Sequence, residues 1–235
     1  MSKDTSDWPL APRPANAAVE AFVEAARQAP ARPAENRGRL IFALDATMSR
    51  QPTWDLAQNL QARMFQVAAD LGGLDVQLVY FRGFNECRAS SFVSGGQGLA
   101  ALMAKISVRG GATQIGRVLA HARDEARRAR VGALVFVGDA MEEKIDRLAA
   151  TAGELAIAGV KAFMFQEGDD PEVARAFAEI ARLTGGAHGA FDAGAAQRLE
   201  ALLRAAAAYA AGGRAALEAQ AAGDDAARLL LRQMR

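Results

Sequence analysis

The sequence predicts an α/β fold with a mostly parallel sheet and helices on both faces, on three observations. Short, continuous apolar runs recur along the chain, as strands buried on both sides require. Segments with apolar residues at helical spacing alternate with those runs, the pattern of βαβ crossovers. Two of the runs end in an aspartate, RLIFALD and ALVFVGD, which sets acidic groups where strands leave a sheet.

The elements follow in order. Residues 1–36 are rich in Ala and Pro and are expected to form an arm with one helix over 15–28, where Val19, Phe22 and Val23 make an apolar stripe. RLIFALD then opens the main domain, expected over 37–211. The spacing of Leu56, Leu60, Met64, Phe65 and Val67 predicts a helix over 53–71, stopped by Gly72-Gly73. DVQLVYFRG is the next strand, and RASSFVSGG is a short edge partner returning beside it. Helices are expected over 98–106 and 115–130, separated by VRGGATQ. After ALVFVGD come a helix over 142–158, a strand at VKAFMFQ, a helix and a weaker strand at AHGAF. Asp170 as cap and Pro171 at the first helical position mark the start of that last helix. A helix over 194–211 follows, and Gly212-Gly213 sets off a helical extension over 212–235, whose Leu229, Leu230 and Leu231 are expected to dock on the body.

Composition narrows the function classes. The chain has 235 residues, 51% of them hydrophobic, which suits one sizeable core with appended material. The 28 basic and 27 acidic residues leave a formal charge of +1, so no global field draws nucleic acid or an anionic membrane. The lone Cys87 excludes an internal disulfide, and no zinc-ligand cluster is spelled out. The N-terminus lacks a basic region followed by an apolar run, and no apolar stretch is long enough to span a bilayer, so a cytoplasmic protein is expected.

Chemistry concentrates at the two acidic strand ends. In an open doubly wound sheet, ligands sit beyond the carboxyl ends of the strands, where strand order reverses. Asp45 is followed by Ala46, Thr47, Met48 and Ser49, and Asp139 closes the other strand. Gly110-Gly111-Ala112-Thr113 lies between them in sequence, its glycines allowing a tight turn that returns the Thr113 hydroxyl over the rim. Asp, Ser and Thr supply hard oxygen ligands, which suit Mg²⁺, with Mn²⁺ or Ca²⁺ as alternatives, and suit Zn²⁺ poorly. Two carboxylates neutralise a dication while the hydroxyls add no charge, so the ion keeps an appetite for one more carboxylate.

These residues resemble the metal-ion-dependent adhesion site of the von Willebrand factor A family, Asp-x-Ser-x-Ser followed by a Thr and then an Asp. Asp45, Ser49, Thr113 and Asp139 match position by position, and Thr47 stands where the family usually has Ser. The resemblance covers about 38–210. It implies a Rossmann-like sheet of about six strands with one antiparallel edge strand and a divalent cation at its top. It further implies that the hydroxyls of Thr47, Ser49 and Thr113 touch the ion, while one or both aspartates act through water. The function it implies is a non-enzymatic adaptor, binding a Glu or Asp side chain of another protein through the cation.

Two competing readings stand beside this one. In the first, Asp45 and Asp139 only cap helices. In the second, the chain is a Mg²⁺-dependent phosphotransferase of the haloacid-dehalogenase type with Asp45 as nucleophile. Against the second, Thr47 replaces the usual general-acid Asp, and none of Lys105, Lys144 and Lys161 is well placed to balance a phosphate. Other polar residues have plainer readings. Trp54 packs at a helix start, and Glu142 and Glu143 are first-turn carboxylates favoured by a helix dipole. His121 and His188 are structural, and Arg123, Arg127, Arg128 and Arg130 form a solvated helix face.

Overall fold

The structure is a computed structural model and describes residues 37–47, 73–192 and 196–234. The expected arm over 1–36 with its helix, the helix over 53–71, Trp54 and Ser49 lie outside the described residues. Six strands form one sheet: β1 (Gly38–Asp45), β2 (Leu74–Arg82), β3 (Glu86–Ser94), β4 (Ala133–Gly138), β5 (Lys161–Glu167) and β6 (Ala187–Phe191). Their order is β3-β2-β1-β4-β5-β6. Every neighbouring pair is parallel except β2 with β3, which is the antiparallel edge hairpin. The fold class is therefore the predicted one, a Rossmann-like mixed sheet.

The alternation of side chains along β1 explains the layers. Leu40, Phe42 and Leu44 face a core shared with α1 (Gly96–Met103), α5 (Ala196–Ala221) and α6 (Asp225–Gln233). Ile41 and Ala43 face the opposite core, shared with α2 (Ile115–Arg128), α3 (Ile145–Ile157) and α4 (Pro171–Thr184). A strand covered on both sides favours apolar residues at successive positions, which is why the middles of β1, β4 and β5 read as apolar runs, with buried polar Asp45 and Gln166 only towards the carboxyl ends. Burying each large side chain contributes roughly 1.5–3 kcal/mol.

Helix ends follow local chemistry where they have it. The Asp170 carboxylate accepts from Glu172 N and Val173 N at 2.8 and 3.2 Å, with Pro171 at the first helical position. Gly213, at φ 69° and ψ −160°, breaks α5. Beyond it α6 packs back on the body, with Leu230 fully buried and Leu229 and Leu231 partly so. Among the described residues, no helix is long and apolar enough to cross a membrane.

Asp224 joins α5 to α6. Its carboxylate accepts from Ala226 N at 2.8 Å and Ala227 N at 3.3 Å, capping α6, and from Arg204 and Gln220 of α5 at 3.1 and 3.0 Å. Burial works to raise its pKa, but these four donors outweigh it and hold the group below the ordinary aspartate value. Its stabilisation is thus complete above about pH 3.9 and is lost as pH falls through the lower folded value. Asp224→Ala is expected to cost about 1–2 kcal/mol at pH 7 in urea unfolding. The gap to wild type should narrow when the unfolding is repeated at pH values falling below the ordinary aspartate value. An unchanged gap would show that the cap works without its charge.

Candidate metal centre

The site is set by the place where strand order reverses. β1 and β4 are adjacent and parallel, with Leu44 opposite Val137, so Asp45 and Gly138-Asp139 leave neighbouring strands at one edge. On one side of β1 lie β2 and β3, and on the other β4, β5 and β6. In open sheets of this kind, the point where strand order reverses is where ligands sit, beyond the carboxyl ends of the strands.

Asp45 is 2% exposed, Thr47 7% and Thr113 8%, so three of the predicted ligands are buried polar groups. Asp45 Oδ1 accepts from Thr47 N at 2.8 Å, a local turn that bends the chain back at the strand end. Ala46 N donates to Phe81 O at 3.0 Å, and Arg109 N donates to Ala46 O at 2.9 Å. The loop between α1 and α2 therefore crosses over the end of β1, as the glycines at 110 and 111 had suggested.

Thr113 is fixed by a reciprocal pair. Its N donates to Glu142 Oε2 at 2.9 Å, and its Oγ1 accepts from Glu142 N at 3.0 Å. Because Glu142 follows Asp139 by three residues, this pair ties the Thr113 loop to the segment leaving β4. The Thr113 hydroxyl keeps its proton and a second lone pair for another contact. Asp139 Oδ1 is buried and has no hydrogen-bond partner among the described residues. An uncompensated buried carboxylate oxygen is costly, and a hard cation is the ligand that would compensate it best. Two carboxylates with neutral hydroxyls thus fit a divalent ion. Among the described residues, no three His, Cys, Asp or Glu side chains are grouped to hold a metal.

The expectation for Glu142 and Glu143 needs correction. α3 begins at Ile145, not at 142, and neither residue lies in its first turn. Glu143 instead accepts from Ile115 N at 2.5 Å and Gly116 N at 2.9 Å, capping α2 across 27 and 28 residues of sequence. Burial raises its pKa and these amide donors lower it, leaving the carboxyl above the ordinary glutamate value. The one local hint was negative: Gln114, at the cap position of α2, makes no side-chain cap bond. Gln114 Nε2 instead reaches Arg82 O, Gly83 O and Glu86 O at 3.3–3.4 Å, fastening the β2–β3 hairpin to the Thr113 loop. His121 pairs with buried Gln77 at 2.8 Å, and Arg123, Arg127 and Arg128 pair with Asp124, Glu125 and Glu154 on their exposed face.

No protein-family model matches the sequence, and no curated protein is significantly similar to it. Solved structures do match the fold. The VWA domain of SpRpn10 has a TM-score of 0.56 at 13% identity, over 70% of this chain and 92% of that one. An aerotolerance-related membrane protein from Bacteroides fragilis NCTC 9343 has 0.54 at 18% identity, over 72% of this chain and 98% of that one. The pilus adhesin SpaC from Lactobacillus rhamnosus GG, in an open conformation, has 0.59 at 10% identity, over 76% of this chain but only 30% of its own. With its strand order, antiparallel edge and these neighbours together, the chain has the von Willebrand factor A fold.

Proposed function

We propose that the chain is a protein-interaction module whose docking point is a divalent cation, Mg²⁺ in the first instance, held by Asp45, Thr47, Ser49, Thr113 and Asp139. The observation that carries this reading is the buried Asp139 Oδ1, without a hydrogen-bond partner among the described residues, three residues before the Glu142 that holds Thr113. When bound, the cation supplies an electrophilic point that accepts one more oxygen ligand. Asp45 and Asp139 balance its charge, and the hydroxyls contribute oxygen without adding negative charge. The partner supplies a Glu or Asp side chain. That one structure of this fold is a pilus adhesin and another a COPII-coat protein is in keeping with such a role.

The phosphotransferase alternative is less well supported. Asp45 Oδ1 is engaged by Thr47 N, and Lys161 opens β5 and so lies at the opposite edge of the sheet. The pairing of Thr113 with Glu142 has no task in that chemistry.

Titration calorimetry and thermal unfolding with MgCl₂ and MnCl₂ test the proposal. At a hundredfold excess over Kd, a cation that binds only the folded chain should add about 2.7 kcal/mol of stability. Asp139→Ala should abolish the added stability, and the partner's Glu→Gln change should weaken capture as chelator does. Absence of heat and of thermal shift with both cations would refute it.

A further inference from the structure

We propose that the tip of the β2–β3 hairpin, Phe84 with Arg109 beside it, is the second contact of this docking surface, and that it takes an acidic partner segment carrying a large apolar residue. The inference rests on the cation reading and specifies the partner that reading leaves open.

Phe84 is 79% exposed in a turn, where small polar residues usually stand. Ile145 and Ile157 are the other large apolar side chains exposed among the described residues, and neither lines the same concavity. Phe84 does: it borders a hollow of about 490 Å³ with Arg82, Arg88, Arg109 and Glu86.

The turn is held from behind. Gln114 Nε2 contacts three of its carbonyl oxygens, and Arg117 donates to Asn85 O at 2.9 Å and to Asn85 Oδ1 at 3.2 Å. A ring presented on a fixed turn loses little freedom on docking, which favours its use as an anchor.

Charge and position choose the occupant. Arg82 and Arg88 share Glu86 at 3.0 and 3.2 Å, whereas Arg109 is exposed and makes no ion pair among the described residues. The hollow is therefore net positive and complements acid. It also adjoins the candidate metal centre: Ala112 N donates to Gly83 O at 3.2 Å, next to Thr113, and Arg109 N donates to Ala46 O at 2.9 Å, next to Asp45. A partner segment whose carboxylate faces the cation would lay its neighbouring residues over Phe84 and Arg109. Exposed aromatic and arginine side chains are the types most often found to dominate interface energetics.

The test pans a random dodecapeptide display library on the full chain saturated with MgCl₂, then titrates the selected peptides by fluorescence anisotropy. Selected peptides should combine Asp or Glu with a large apolar residue. Phe84→Ala should weaken them about tenfold with Mg²⁺ affinity unchanged by calorimetry, and Arg109→Glu should weaken them and flatten their salt dependence. Peptides that need Mg²⁺ but bind both variants like wild type would overturn the hairpin's role and leave the cation reading intact. Binding that survives chelator yet is lost in Phe84→Ala would overturn the cation reading alone. No enrichment, or sedimentation showing that Phe84 is instead covered by a second copy of the chain, would overturn the proposal.

Discussion

Gly111→Ala is expected to leave the fold in place and to reduce cation affinity by about tenfold or more. A Cβ at Gly111 would lie 2.1 Å from Gly83 O, a backbone atom of the hairpin turn. No side chain can rotate away to relieve that contact, so the loop must retreat by roughly 1 Å, at a cost of about 1–3 kcal/mol. Thr113 is two residues further on and is the hydroxyl proposed to face the ion. Mg²⁺ demands oxygens at about 2.0–2.1 Å in near-octahedral geometry, so a displacement of that size removes a ligand. Gly110→Ala is the control, because nothing lies within 4 Å of a Cβ there. Calorimetry of the two variants decides the matter: equal Mg²⁺ affinity in both would mean that the position of Thr113 is irrelevant to the ion.

The contrast between those neighbouring glycines shows what was legible in the sequence and what was not. The pair was readable as a tight turn, but which glycine faces the hairpin depends on a carbonyl 28 residues away. The same division runs through the fold. ALVFVG was expected as a strand and is β4, because a buried parallel strand announces itself as a continuous apolar run between helical segments, and the weaker AHGAF is the edge strand β6, residue for residue. Asp170-Pro171 was legible because capping is local. Glu143 was misassigned because its partners, Ile115 N and Gly116 N, belong to another helix. A carboxylate just ahead of a helix looks the same in sequence whether it serves that helix or a neighbour. Of the candidate ligands, the two aspartates stand out in the sequence as the ends of apolar runs and Thr113 by the glycines before it. The reciprocal bond that holds Thr113 to Glu142 spans 29 residues and had no local signal. Long-range polar pairs decide how a site is aimed, and apolar periodicity is silent about them.

Phe136→Ala should be the most damaging of these substitutions to stability, at about 3–5 kcal/mol. The residue is 1% exposed at the centre of β4, flanked by β1 and β5. Its ring stacks on Phe81 at 6.1 Å and 14°, and meets Phe177 edge-on at 5.4 Å and 89°. One side chain thus joins β2, β4 and α4, and its removal leaves a cavity that three fixed elements cannot collapse around. A domain of ordinary stability, about 5–15 kcal/mol, would lose a large share of its reserve. The melting temperature should fall by on the order of 10 °C. The ring also lies under the strand exit: a Cβ on Gly138 would come within 2.7 Å of Phe136 Cε1, so the ring supports the backbone immediately before Asp139. Phe136→Leu, which keeps most of the volume, should cost much less. Urea unfolding of both variants with equal m-values gives the comparison. If Phe136→Ala costs no more than Phe136→Leu, the ring does not bridge the sheet and α4 in the way its packing implies, and the exit of β4 takes its position from some other contact.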